Sequence, residues 1–208
     1  FYGKGTTQNY SKAVEWFQRA VNQNLTMAQS ALGYCYANGY GVTRNNSKAV
    51  ILWSKAANKG EAMAQCCLGL CYENGFGVKK NCSKAVDWYK KAAEQGDEEG
   101  QCNLGNCYSQ GKGITKNYSK AAEWYQKSAD QGNTLAQDAL GNCYEYGYGV
   151  AKDYSKAIEW YQKAAEQGYS DAQCDLGMCY EFGNGVKQDK AKAYYWYRKA
   201  ADQGNEFA

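Results

Sequence analysis

Five eleven-residue stretches of this chain are variations on one string. They are Leu32–Val42, Leu68–Val78, Leu104–Ile114, Leu140–Val150 and Leu176–Val186, and the fourth reads LGNCYEYGYGV. Each begins 36 residues after the one before, with no insertion. A fixed period of this length marks a stacked array, in which a unit too small to bury its own apolar face buries it against its neighbours. The 208 residues therefore read as one linear array rather than as one or two globules.

One unit, Ala136–Asp171, shows the logic. Ala136, Leu140, Cys143 and Tyr144 fall at helical spacing and predict a helix A over Ala136–Tyr146. Gly147–Asp153 reads as a loop. Ala157, Trp160, Tyr161, Ala164 and Ala165 give a second apolar face and predict a helix B over Tyr154–Gln167. Asn9, Asn45, Asn81, Asn117, Asp153 and Asp189 recur just before helix B, where a side-chain oxygen satisfies free N–H groups of the first turn. Glycine, or Asn24 once, recurs just after helix B, where a left-handed residue closes the helix. Val42, Val78, Ile114, Val150 and Val186 follow the loop glycines and are expected to plug the turn into the core.

One glycine is unexpected. Gly33, Gly69, Gly105, Gly141 and Gly177 lie in the middle of helix A, where glycine costs about 1 kcal/mol against alanine. The expectation is that each lets helix B approach closely, with its Trp/Tyr pair, such as Trp160 and Tyr161, packed there. The recurring aromatic stripe then reads as core.

The consensus AQ..LG.CYE.G.GV.KDYSKA..WY.KAAEQG, carried in one unit by Ala136, Leu140, Gly141, Tyr144, Gly147, Gly149, Val150, Asp153, Trp160, Tyr161 and Gly168, resembles the Sel1-like repeats, relatives of the tetratricopeptide repeats. The resemblance covers essentially the whole chain. It implies an all-α fold, a right-handed α-solenoid of about five and a half 36-residue helix-turn-helix repeats with helix A on the concave side, and an adaptor or scaffold role. The expected units are 28–63, 64–99, 100–135, 136–171 and 172–207, preceded by a half repeat over 1–27 that holds helix B only. Ala208 would open a further repeat, and neither end has a polar cap, so the array is expected to be a piece of a longer protein. Some cysteine-rich members of the family join helix B of one repeat to helix A of the next by disulfides. Here the end of helix B reads KAAEQG or a close variant without cysteine, so that linkage is not expected.

Composition narrows the function. There is no histidine, so no Ser-His or Cys-His nucleophile pair can form. The loops lack the spacing of a phosphate cradle. The ten cysteines contain no C-x-x-C, which disfavours zinc. Five of them recur beside the packing tyrosine and read as buried apolar residues, so free thiols and a reducing compartment are expected. A net charge of +3 does not suggest nucleic-acid binding, and no apolar run approaches the roughly 18 residues of a membrane span. No enzyme, cofactor or metal is expected. Asn9, Asn24, Asn45, Asn81 and Asn117 each begin an N-x-[ST] sequon, but capping accounts for four of them.

In a solenoid the stacking residues repeat and the recognition residues vary. On helix A the variable sets are Tyr34, Leu70, Asn106, Asn142 and Met178; then Ala37, Glu73, Ser109, Glu145 and Glu181; then Asn38, Asn74, Gln110, Tyr146 and Phe182; and Ser30, Cys66, Cys102, Asp138 and Cys174. By the family's geometry these line the concave surface. Tyr34, Leu70, Glu73, Asn74, Asn106, Gln110, Asn142, Glu145, Tyr146, Met178, Glu181 and Phe182 are the candidate partner-binding residues. Asparagine, glutamate and exposed aromatics suit a bound peptide or protein domain. The alternative is a secreted or host-directed module that reads a carbohydrate, cell-wall or host ligand with the same face. The loop-tip residues Tyr40, Phe76 and Tyr148 either form an exposed aromatic edge or fold onto the next repeat. Two lysine rows on helix B, which include Lys156 and Lys163, read as a solvated outer face.

Overall fold

A computed structural model describes residues 9–206. The loop of the expected N-terminal half repeat and Ala208 lie outside them. Among the described residues there are eleven α-helices and no strand. Helices α1 (Tyr10–Asn22), α3 (Asn46–Asn58), α5 (Cys82–Glu94), α7 (Tyr118–Asp130), α9 (Tyr154–Glu166) and α11 (Lys190–Ala201) are B helices. Helices α2 (Thr26–Asn38), α4 (Ala62–Asn74), α6 (Glu98–Gln110), α8 (Thr134–Tyr146) and α10 (Ser170–Phe182) are A helices. Two compact units divide the chain after Gly100, within α6. In the first, α1 to α5 each pack on the next; in the second, α7 to α11 do the same.

Capping sets the boundaries. Each B helix starts at the expected Asn or Asp, whose Oδ1 accepts from the backbone N–H three residues on, at 2.9 Å for Asn117 and Lys120 and 3.1 Å for Asp153 and Lys156. The sequon asparagines Asn9, Asn45, Asn81 and Asn117 all serve this way. Helix A begins two residues earlier than its apolar pattern predicts. Asn133 caps α8 through Ala136 N at 2.9 Å, and Glu61 caps α4 through Ala64 N at 2.6 Å. The apolar period begins only at the third residue of the helix, so periodicity alone places the start late.

The mid-helix glycine receives one aromatic ring rather than a pair. A Cβ on Gly141 would lie 2.5 Å from Cε1 of Tyr161, and the same ring position faces Gly69, Gly105 and Gly177. Tyr161 is wholly buried, a contribution of about 2–3 kcal/mol in apolar burial. Trp160 points elsewhere, because successive helical residues diverge by about 100°. It is half-buried against the cluster that includes Ala122, Tyr125, Leu140 and Cys143. In the repeat that begins with α2, Trp53 takes the tyrosine's place over Gly33 and its Nε1 donates to Ser30 O at 3.2 Å. The second loop glycine makes another close approach. A Cβ on Gly149 would collide with the carbonyl of Tyr118, so the loop of one repeat lies directly on the first residue of the preceding B helix. Val42, Val78, Val150 and Val186 are half-buried against the cores, as expected.

A glutamine ladder joins neighbouring repeats inside each unit. Gln137 Nε2 donates to Ala129 O at 3.2 Å, and its Oε1 accepts from Gln167 Nε2 at 2.9 Å. Gln65 with Gln95, Gln101 with Gln131, and Gln173 with Gln203 repeat the amide pair at 2.7–2.8 Å. One rung is broken. Lys59 occupies the partner position of Gln29 and turns to Asn24 Oδ1 at 2.6 Å, which leaves the buried Gln29 Oε1 without a donor. An unsatisfied buried acceptor costs roughly 1–3 kcal/mol.

Two outcomes follow from this packing. Gly141→Ala should lower stability by about 1–3 kcal/mol in chemical denaturation, because overpacking against Tyr161 outweighs the gain of about 1 kcal/mol in helix propensity; a rise in Tm would refute the close-approach role. Lys59→Gln should raise stability by about 1 kcal/mol by restoring the rung, and unchanged denaturation would show that Gln29 is satisfied by other means.

Candidate interaction face on the A helices

None of the five A helices contains a lysine or arginine; among the described residues every basic side chain lies in a loop or on a B helix. The lysine rows of helix B are seated over aromatic rings. Lys156 Nζ lies 5.3 Å from the centroid of Tyr144, and Lys163 Nζ lies 3.8 Å from that of Trp160. Such cation–π contacts use the charge locally, which fits the solvated reading of these rows.

The variable positions of helix A do not form one uniform surface. Ser30, Cys66, Cys102 and Cys174 are buried, which corrects their expected place on the face; only Asp138 in that set is half-exposed. Ser30 Oγ donates to Glu61 Oε2 at 2.7 Å, and Cys102 packs with Ala121, Ala122 and Tyr125 of α7. The second set holds the buried aromatics. Tyr89 donates to Glu73 Oε2 at 2.5 Å, Tyr161 to Glu145 Oε2 at 2.7 Å and Tyr197 to Glu181 Oε2 at 2.6 Å. Tyr125 on α7 donates to Asn106 Oδ1 of α6 at 2.8 Å, with Ser109 Oγ at 3.1 Å. Where the aromatic is Trp53, which has no hydroxyl, the matching residue is Ala37. A buried hydroxyl requires a partner, so these glutamates and Asn106 have a structural task that sequence variability does not reveal. Burial, then the carboxylates of Asp175 and Glu145, hold the Tyr161 hydroxyl far above its usual range.

Asparagine amides are also engaged. Asn74 Nδ2 donates to Leu70 O at 3.0 Å, and Asn142 Nδ2 to Asp138 O at 3.2 Å. The candidates exposed to solvent are Tyr34, Leu70, Gln110, Tyr146, Met178 and Phe182, with Tyr146 53% and Phe182 66% exposed, and Asn74, whose amide is turned to its own helix. Loop aromatics fold back rather than forward. Tyr148 stacks on Tyr118 at 4.9 Å and lies 5.5 Å from Tyr146, and Tyr40 stacks on Tyr10 at 4.9 Å. Their partners open the preceding B helix, where the loop glycine allows close approach. Phe76 remains exposed.

One constellation was not legible as a site. Asp138 on α8 faces Asp175 on α10, and the two interact through their side chains. Burial, then Asp175 and Asp171, pushes the Asp138 carboxyl up to about 8. Burial, then Glu145 and Asp171, raises Asp175 to about 6. Two carboxylates this close hold one proton between them. The hint in the sequence is Asp175 itself, where the other repeats carry Ala31, Cys67, Asn103 and Ala139.

The ten cysteines are thiols. Burial pushes Cys71 and Cys143 up to about 11 and Cys67 to about 12, which suppresses the thiolate that would act as nucleophile or metal ligand. Among the described residues no group of three or more Cys, Asp or Glu is arranged to hold a metal ion, and no helix is long and apolar enough to cross a membrane.

The Sel1 repeat family model matches residues 1–25, 26–61, 62–97, 98–133, 134–169 and 170–205. The chain belongs to the Sel1 repeat family. Its structure is that family's all-helical repeat solenoid, and each full match opens at or beside the first residue of an A helix. Among solved Sel1 structures it is similar to a repeat protein from Oxalobacter formigenes, at 39% identity over 94% of this chain and 78% of that one, with a TM-score of 0.88. It is also similar to a protective antigen of uropathogenic Escherichia coli that displays the same fold, at 39% identity and a TM-score of 0.85. That match takes in 98% of this chain and only 44% of the antigen. A Pseudomonas aeruginosa immunity protein, 22% identical over 97% of this chain and 77% of its own, shares the fold with a TM-score of 0.60. Comparison with curated protein sequences finds no match.

The aspartate pair gives a pH signature. Asp138 titrates near 4 when unfolded and near 8 when folded, so between these values the folded chain binds more protons and loses stability as pH rises. Asp138→Asn, which keeps the shape and offers an amide N–H to Asp175, should raise Tm by about 2–4 °C at pH 8. The difference should close below about pH 4. A difference independent of pH would show that the pair is solvated and uncoupled.

Proposed function

We propose that this Sel1 repeat chain is a non-enzymatic scaffold that holds a peptide or domain of a partner protein on its A-helix face. The supporting observation is the division of labour on that face. Its glutamates and Asn106 support the buried aromatics, whereas Tyr146, Met178 and Phe182 stand in solvent on helices fixed by the core. Rigid exposed aromatics lose little entropy on binding and make good anchors. The asparagines that would serve a carbohydrate are weaker candidates, because Asn74 and Asn142 direct their amides to their own helices. The refined binding candidates are therefore Tyr34 and Leu70 in the first unit, and Gln110, Tyr146, Met178 and Phe182 in the second.

Site-directed photo-crosslinking tests this. A photoreactive phenylalanine at Phe182 should capture a partner from a lysate of the source cells that the same group at Glu159, exposed on α9, does not. Equal capture at both sites, or none at Phe182, would remove the A-helix face as the docking surface.

A further inference from the structure

Helices α8 and α10 carry five carboxylates, Asp138, Glu145, Asp171, Asp175 and Glu181, and no cation. Four have protein donors. Glu145 and Glu181 accept from Tyr161 and Tyr197, and Asp171 accepts from Tyr169 at 3.0 Å and from Asn205 at 2.8 Å. Asp138 Oδ2 accepts a long bond from the Asn142 amide at 3.3 Å, and the fifth, Asp175, meets Asp138. The groups around them are Asn142, Glu145 and Tyr146 on α8, Tyr161 on α9, Asp171, Cys174 and Cys179 on α10 and Tyr169 before it. No lysine or arginine contributes to the field that raises either group. Asp138 Oδ1 is sequestered from solvent and accepts no hydrogen bond. On the same two helices stand the exposed Tyr146, Met178 and Phe182. The surface is thus acidic where it is polar and aromatic elsewhere.

We propose that the α8–α10 face takes a partner segment presenting a lysine or arginine beside an apolar side chain, with the cation seated between Asp138 and Asp175 and the apolar group on Tyr146 and Phe182. This rests on the scaffold reading above and names the partner's chemistry. Charge complementarity selects the occupant. An ammonium or guanidinium donates to both carboxylates at once, and a guanidinium fork matches the pair best. Phosphate-bearing partners are repelled. Seating the cation replaces the proton held between the carboxylates, which leaves to solvent as binding occurs. Affinity must then rise with pH from about 6 to about 8, the range in which the free pair gives up its proton. It must also fall with salt.

The test is to select peptides from a random phage-displayed library on the whole chain, then measure chosen synthetic peptides by fluorescence anisotropy. The variants are Asp138→Asn/Asp175→Asn and Tyr146→Ala/Phe182→Ala, each with its fold checked by circular dichroism. The expected result is enrichment of peptides with Lys or Arg next to an apolar residue. Replacing that arginine by citrulline, or using the double Asn variant, should weaken binding at least tenfold, and wild-type binding should strengthen between pH 6 and 8. Peptides that lack a basic residue and depend on Tyr146 and Phe182 alone would overturn this inference and leave the scaffold face standing. Peptides insensitive to both variants, or no enrichment, would overturn both.

Discussion

The contact between Tyr161 and Gly141 is the constraint on which the rest of each repeat depends. Two short helices cannot bury a ring of this size unless one lacks a side chain at the crossing, and a Cβ there would lie 2.5 Å from the ring. The ring brings a hydroxyl into the core, and a buried hydroxyl must be bonded. Glu145 supplies that bond from the next turn of helix A. Glycine, tyrosine and glutamate therefore act as a unit, and the exception supports this. Where the ring is Trp53, its N–H goes to the Ser30 carbonyl and the glutamate position is Ala37.

A second layer, the glutamine ladder and the loop glycines, ties neighbouring repeats together inside each unit. The ladder satisfies buried amides and helix-end carbonyls together, so neighbouring repeats cannot slide without exposing unpaired polar groups. Its broken rung at Gln29 shows that the array tolerates a local loss where Lys59 finds other partners.

This architecture determines what is left for recognition. Variability on helix A has two sources, and only one concerns a partner. Glu73, Glu145, Glu181 and Asn106 vary with the aromatic they support, whereas Tyr146, Met178 and Phe182 stand clear of the core. Charge is uneven as well: the B helices carry both signs, with lysines over aromatic rings, whereas α8 and α10 carry carboxylates and no cation. In that setting the Asp138–Asp175 contact draws one long bond from the Asn142 amide, 3.3 Å from Asp138 Oδ2, while Asp138 Oδ1 accepts none.

The sequence by itself determined the period, the two helices per repeat, the B-helix caps, the left-handed closures and the need for close approach at Gly141. These are local or periodic properties, set by backbone sterics and by the spacing of apolar side chains, and a repeat states them five times. The tertiary structure alone decided where each side chain of a pair would go. It sent Tyr161 to the glycine and Trp160 to the neighbouring core, buried Cys66, Cys102 and Cys174, and folded Tyr148 back onto Tyr118. It also brought Asp138 and Asp175 together from positions 37 residues apart in the chain. The physical reason is that hydrogen-bond partnership and charge proximity depend on distances between helices, and those distances are fixed only when the rings and glycines have packed.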